Sequence, residues 1–243
     1  MSPVPRIVGA RWRGEGHAAR NEPCCDALFI PRTGRLLSGF VICDGAGGTP
    51  AVSRSAQLSA WAGWQALQLL LRPNQYTHSQ LQRRFLAAFW HSRRPGPIAD
   101  HTMLACLWSR QHLLIVQVGD SCLLLRRQGA WQLPLAPARG QYVNETIFLR
   151  PDTPPTDVGL WWAPARQIDA VVGFSDGLDA AFLSEQQLNS PLADLVIKAH
   201  QQHLGWRGYP AWLASSLADP GLAALSDDDR TLAVAARSLS PVR

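Results

Sequence analysis

The sequence predicts a single domain of the α+β class, and three observations carry that prediction. Short β-like runs crowd the middle of the chain, helical stretches are grouped on either side of them, and no Gly/Ser linker or repeat divides the 243 residues. A hydrophobic share of 47% with 17% charged residues suits a chain that builds a buried core.

The elements follow in order. Residues 1–35 are Arg- and Gly-rich, with the apolar stretch ALFI at 27–30, a turn at PRTGR and a second strand at 36–43. The segment 51–72 is rich in Ala, Leu and Gln without internal proline and reads as a helix stopped by Arg72-Pro73-Asn74. A second helix spans 78–92, with Leu81, Phe85, Leu86 and Phe89 on one face. Between 101 and 133 the runs TMLACLW, HLLIVQV, CLLLRR and AWQLPL read as an antiparallel meander. Residues 134–168 hold six of the 18 prolines and read as a loop-rich excursion carrying a weak strand, TIFLR. DAVVGFSDG is again a strand running into Asp-Gly, helices are expected near 178–190, 191–204 and 209–218, and RTLAVAAR is the last strand.

Composition narrows the function. The 23 Lys+Arg against 18 Asp+Glu leave a net charge of +5, but the cations are scattered and include one lysine, Lys198, so no stripe for nucleic acid forms. Of the ten tryptophans, Trp61, Trp64 and Trp90 fall within helical patterns, which assigns them to packing rather than base stacking. Apolar runs break well short of the roughly 20 residues of a membrane span, and the N-terminal segment lacks the apolar stretch of a signal peptide. The expectation is a cytoplasmic protein, and its five cysteines fit no zinc spacing.

The chemistry lies in the aspartates. FVICDGAGG is a strand that suits a covered environment yet ends on Asp44, a residue such surroundings reject unless its charge is paired or bound to metal. Asp176-Gly177 ends a second strand, and Asp227-Asp228-Asp229 precedes a third. If these strand ends adjoin, the carboxylates repel one another unless cations lie between them, and oxygen-only donors select Mg²⁺ or Mn²⁺.

The ordered blocks GHAARNEPCCDA, VICDGAGG, HTMLACLW with HLLIVQVGDSCLLL, GFSDGLDA and DDDRTLAV run from about Gly14 to Arg237. Together they resemble the metal-dependent serine/threonine protein phosphatases of type 2C, and CCDA is similar to the Cys-Gln-Asp-Ala of a bacterial subgroup. The resemblance implies a four-layer α-β-β-α sandwich of two antiparallel sheets with a centre for two Mn²⁺ or Mg²⁺ ions. It implies that Asp44 bridges both ions, that the Gly45 carbonyl binds one, and that Asp176 and Asp228 complete the other. It gives Asp26 a role in holding or orienting the attacking water, and makes Arg20, or alternatively His17, the group that holds the substrate phosphate. A phosphorylated protein as substrate, a partner Ser/Thr kinase and a monomeric state are further implications. The Pro-rich stretch 134–168 corresponds to the family's variable flap, where substrate choice is expected to lie.

The sequence departs from the family pattern in several places. Cys25 stands where a Glu commonly supports the second ion, and Glu22 could substitute only through a different loop path. Ala46 replaces the histidine that animal members carry after Asp-Gly as a candidate acid. A third ion, known in bacterial relatives, would draw on Asp100, whose alternative is an ordinary surface position. Asp120 in VGDS reads as part of a turn rather than as a ligand. A phosphatase is the leading expectation, and a weakened, regulatory relative that binds metal or phosphoprotein is the alternative.

Overall fold

From Ser38 to Cys43 the strand Leu37–Cys43 is buried on both faces, and that requires a layer on each side. The computed structural model, which describes residues 4–31, 36–138, 146–184 and 187–237, supplies both layers. In chain order the elements are β1 (Ile7–Trp12), α1 (Glu15–Ala19), β2 (Ala27–Phe29), β3 (Leu37–Cys43), α2 (Pro50–Gln68) and α3 (His78–Ser92). Next come β4 (Met103–Ser109), β5 (His112–Val118), β6 (Cys122–Arg127), β7 (Ala130–Gln132), β8 (Gly159–Pro164) and β9 (Ile168–Phe174). The remainder is α4 (Asp179–Phe182), β10 (Leu183–Ser184), β11 (Gln187–Leu188), α5 (Ser190–His203), α6 (Tyr209–Leu217), α7 (Pro220–Ala223) and β12 (Arg230–Ala236).

Two five-stranded antiparallel sheets result, ordered β2-β3-β4-β5-β8 and β1-β12-β9-β6-β7. The period of two along each strand sorts side chains between layers. Phe40, Ile42, Leu104, Cys106 and Ile115 of one sheet meet Leu123, Leu125, Val171 and Ala233 of the other. The alternate residues Val41, Cys43, Met103, Ala105 and Leu114 face α2 and α3, while Leu124, Val172, Leu232 and Val234 face α5 and α6. This is the α-β-β-α sandwich that the motifs imply, and it explains why the strands read as unbroken apolar runs.

Helix α2 starts where Thr49 caps Val52 N–H and Pro50 supplies a pre-set first turn; α3 starts on a capping box formed by Thr77 and Gln80. Both helices match their expected segments, although α2 closes at Gln68, before Arg72.

Several expectations need correction. The meander stops at Val118: the turn through Gly119, which has φ +94°, carries the chain from one sheet into the other, so β5 and β6 are not paired. The excursion 134–168 contains a true strand, β8, which lies on the sheet edge where its terminal Pro164 removes no needed donor. TIFLR is not a strand beyond an isolated bridge at Thr146. The expected helix at 178–190 shrinks to α4 and gives way to the β10–β11 pair, because Asn189 N–H closes onto the Phe182 carbonyl while the Asn189 side chain caps α5 at Leu192. Strand β1 was not anticipated; it pairs with β12 and buries Val8 and Ala10 beneath α6. Most of the PRTGR turn lies outside the described residues.

Candidate metal centre

The loop after β3 is tied to the segment before β4. Thr102 N–H donates to the Asp44 carbonyl at 2.8 Å, Ala46 N–H donates to the Asp100 carbonyl at 2.9 Å, and Gly45 forms a bridge with His101. A Cβ at Gly45 would lie 2.6 Å from Val52 and 3.0 Å from the Cys25 carbonyl, so only glycine fits this close approach. Asp44 therefore leaves a rigid strand end.

From the opposite sheet, Asp176 follows β9 through Ser175, and Asp228 stands just before β12. The two strand ends adjoin because β9 and β12 pair, with Ser175 N–H donating to the Thr231 carbonyl at 3.1 Å. Asp44, Asp176 and Asp228 all line one cleft of about 330 Å³, together with Gly45, Ala46, His17, Arg20, Asp120, Thr146 and Phe148.

Within it, carboxylate oxygens of Asp44, Asp120 and Asp176 lie within 4.8 Å of one another. Asp120 is the residue whose role here sequence reasoning missed. It does sit in the expected turn, but the switch between sheets carries its carboxylate into the cleft, where Thr146 Oγ1 donates to it at 2.6 Å. Asp100 behaves in the opposite way. Arg150 grips both its oxygens, Nε to Oδ1 at 2.7 Å, and the guanidinium holds the Asp100 carboxyl below its usual range, so Asp100 is an exposed ion pair.

Asp26 is buried just ahead of β2 and takes the hydroxyls of Ser175 and Thr231 on Oδ2, at 2.8 and 2.6 Å. Burial pushes its carboxyl up to about 7; the two hydroxyls oppose the rise and the charges of Asp229 and Asp176 add to it. Burial likewise lifts Asp44 well above the carboxylate range, with Asp26 and Asp176 adding to the rise, and lifts Asp176 to about 6. Oxygens of Asp26, Asp120 and Asp176 are buried without a hydrogen-bond partner among the described residues. Carboxylates crowded in this way, with oxygens unmatched by protein donors, fit hard divalent cations, which would restore their charged forms.

The adjacent acids of the DDD run divide sharply. Asp228, with Asp227 beside it, is exposed on the cleft wall. Asp229 is buried, accepts from Gly14 N–H at 2.8 Å and Cys25 N–H at 2.6 Å, and lies 3.0 Å from His17 Nδ1.

Arg20 and His17 both reach the cleft wall. The Arg20 Nε donates to Glu22 Oε2 at 2.7 Å, and the side chain is 58% exposed, leaving the rest of the fork open to an anion. Glu22 is thus paired with Arg20, with Oε2 3.9 Å from His17 Nε2, and does not itself line the cleft. Cys25 does not either. Its thiol is buried 3.6 Å from the Pro23 carbonyl and 3.8 Å from that of Thr49, and burial raises it to about 11.

Comparison with known proteins agrees with this geometry. The sequence profile described as protein phosphatase 2C matches residues 13–218. Serine/threonine-protein phosphatase 3 of Escherichia coli strain K12 is 27% identical over a 254-residue alignment that covers 95% of this chain and 97% of the relative. Among solved structures, the catalytic domain of the serine/threonine protein phosphatase PstP in complex with two manganese ions superposes with a TM-score of 0.59 at 21% identity, covering 96% of this chain and 98% of that one. Serine/threonine phosphatase Stp1 from Staphylococcus aureus gives a TM-score of 0.61 at 16% identity, over 98% and 97% of the two chains. With the profile spanning most of the sequence, and the aspartates of its motifs gathered in one cleft between the sheets, the chain belongs to the protein phosphatase 2C family of metal-dependent serine/threonine phosphatases.

Proposed function

We propose that this protein hydrolyses phosphoserine and phosphothreonine on proteins, with Asp44 and the Gly45 carbonyl, Asp176 and Asp228 holding two Mn²⁺ or Mg²⁺ ions. The observation that carries this reading is the approach of Asp44, Asp120 and Asp176 to within 4.8 Å in the cleft, where burial lifts the carboxyls of Asp44 and Asp176 above the usual range. When bound, the cations supply activation of water and neutralise phosphoryl oxygens, so no covalent phosphoenzyme is required. Asp26, with one oxygen held and the other unmatched, orients the attacking water. Arg20 holds the substrate phosphate through the part of its guanidinium that Glu22 leaves open, and His17, whose Nδ1 lies 3.0 Å from Asp229, is the second candidate for that contact. A third cation would use Asp120 rather than Asp100, whose carboxylate is already neutralised.

The reading extends to biology in coarser form. No helix among the described residues is long and apolar enough to cross a membrane, and a cytoplasmic setting is part of the proposal. A substrate phosphorylated by a partner Ser/Thr kinase, a monomeric state and a single domain over 1–243 complete the proposal. The test is Mn²⁺-dependent hydrolysis of p-nitrophenyl phosphate and of a phosphothreonine peptide by the purified protein. Turnover that vanishes in Asp44→Asn supports the reading. Tight Mn²⁺ binding without turnover would instead favour a regulatory relative, for which Cys25 at the family's Glu position is the specific observation.

A further inference from the structure

Asp26 is held from across the sandwich. It precedes β2 of one sheet, whereas both hydroxyls on its Oδ2 come from the other: Ser175 from the end of β9, Thr231 from the start of β12. Thr231 directs its one proton to that oxygen at 2.6 Å, and Ser175, whose alternative acceptor is the Asp229 carbonyl at 3.5 Å, makes its shorter contact there at 2.8 Å. Ser175 Oγ is further fixed because it accepts Thr231 N–H at 3.0 Å, so the pair forms one small rigid unit at the paired strand ends. All three side chains are buried, and Asp26 Oδ1 is left without a partner among the described residues.

We propose that Ser175 and Thr231 are positioning residues that lock the Asp26 carboxylate in one rotation and pin the two sheets together where Asp44 must meet Asp176 and Asp228. The inference deepens the reading of Asp26 given above and rests on it. A carboxylate anchored at one oxygen by two donors cannot turn its bare oxygen away. Without the donors it is free to rotate, and the ligand sets on the two sheets lose one of the ties between them, beside those from Arg11 to the Asp26 carbonyl and from Cys25 N–H to Asp229. Side chains that orient a metal-site carboxylate are worth about 10–100-fold in metal affinity or activity.

The test uses Thr231→Val, which keeps shape while deleting the hydroxyl, Thr231→Ser, which restores it, and Ser175→Ala. Mn²⁺ affinity is measured by calorimetry, kcat and KM on p-nitrophenyl phosphate, and Tm on the metal-free protein. The expected result is a Mn²⁺ affinity weakened about 10-fold or more in Thr231→Val, a lower kcat with little change in KM, and recovery of both in Thr231→Ser. Ser175→Ala carries the same expectation, and decides the matter if Thr231→Val does not fold. A lowered Tm with unchanged Mn²⁺ affinity and kcat would overturn the proposal, leaving the hydroxyls as ordinary buried structure. Asp26→Asn separates the two levels. If it leaves Mn²⁺ binding and turnover intact, the reading of Asp26 itself fails; if it disables them while Thr231→Val does not, only the brace fails.

Discussion

Two groups of aspartates flank the same cleft, and the protein treats them in opposite ways. Asp229 is buried and satisfied, with Gly14 and Cys25 N–H groups on its two oxygens and His17 at 3.0 Å. Asp44, Asp120 and Asp176 are gathered within 4.8 Å of one another, and the oxygens left bare there belong to acids facing other acids. Residue type is identical; the supply of donors differs. A carboxylate matched with N–H groups is already held by the fold, and one left unmatched among its own kind is free to meet a ligand of opposite charge.

The sharpest way to break that comparison is at the unmatched group. Asp44→Asn and Asp176→Asn should reduce phosphatase activity below detection, while the metal-free variants at pH 8 unfold at the same or a higher temperature than the parent, because a repelling charge has been removed. Activity within a few-fold of the parent would sink the ligand assignment.

The adjacent pair comes next in size. Asp229→Asn leaves a buried N–H without its acceptor and should cost about 1–3 kcal/mol of stability in the metal-free protein, read as a lowered denaturation midpoint. Asp228→Asn should leave that midpoint unchanged and weaken Mn²⁺ binding instead. The reverse pattern would exchange their roles.

A smaller, graded effect is expected with pH. In the folded state Asp26 titrates near 7 and Asp176 near 6, against 3.8 ordinarily, and Asp44 lies well above that value. These groups keep protons that the unfolded chain has already lost, so their contribution falls as pH rises. Buried His101 and His200, pushed by desolvation to about 4 from 6.5, act in the opposite sense, but only below about pH 6.5, where the unfolded imidazoles take up protons. From about pH 6.5 to pH 8 the carboxylates act alone, and metal-free Tm should fall across that range. Saturating Mn²⁺ should flatten or invert the trend. A metal-free Tm that rises over this range contradicts the arrangement.

The smallest expected change is at Arg20. Arg20→Ala should raise KM several-fold with less effect on kcat, since a phosphate contact exists already in the ground-state complex. An unchanged KM would transfer the contact to His17.

How much of this was legible depended on whether the signal was local. The convergence of Asp44, Asp176 and Asp228 on one cleft was readable because an apolar run that stops abruptly on Asp-Gly is a contradiction visible within nine residues, as at Phe40 to Gly48. Helices α2 and α3 were readable from composition and caps, for the same reason. Sheet membership was not. VGDS suits a hairpin as well as a passage between sheets, and nothing near Asp120 discloses that its carboxylate will meet Asp44, 76 positions earlier. The commitment of Glu22 to Arg20 and of Asp229 to Gly14 and Cys25 likewise depends on loop paths that pattern does not encode.

Strand β12 lies between β1 and β9, near the middle of its sheet, yet it is the last of the described strands to leave a ribosome. Until it arrives, β1 has no neighbour to bond with, Asp26 lacks the Thr231 hydroxyl, and Asp228 has no fixed seat. Closing that sheet joins segments more than 200 positions apart, a slow, non-local event. The protein is therefore timed as well as folded: until residues 228–236 have been made and paired, the cleft in which Asp228 joins Asp44 and Asp176 cannot assemble.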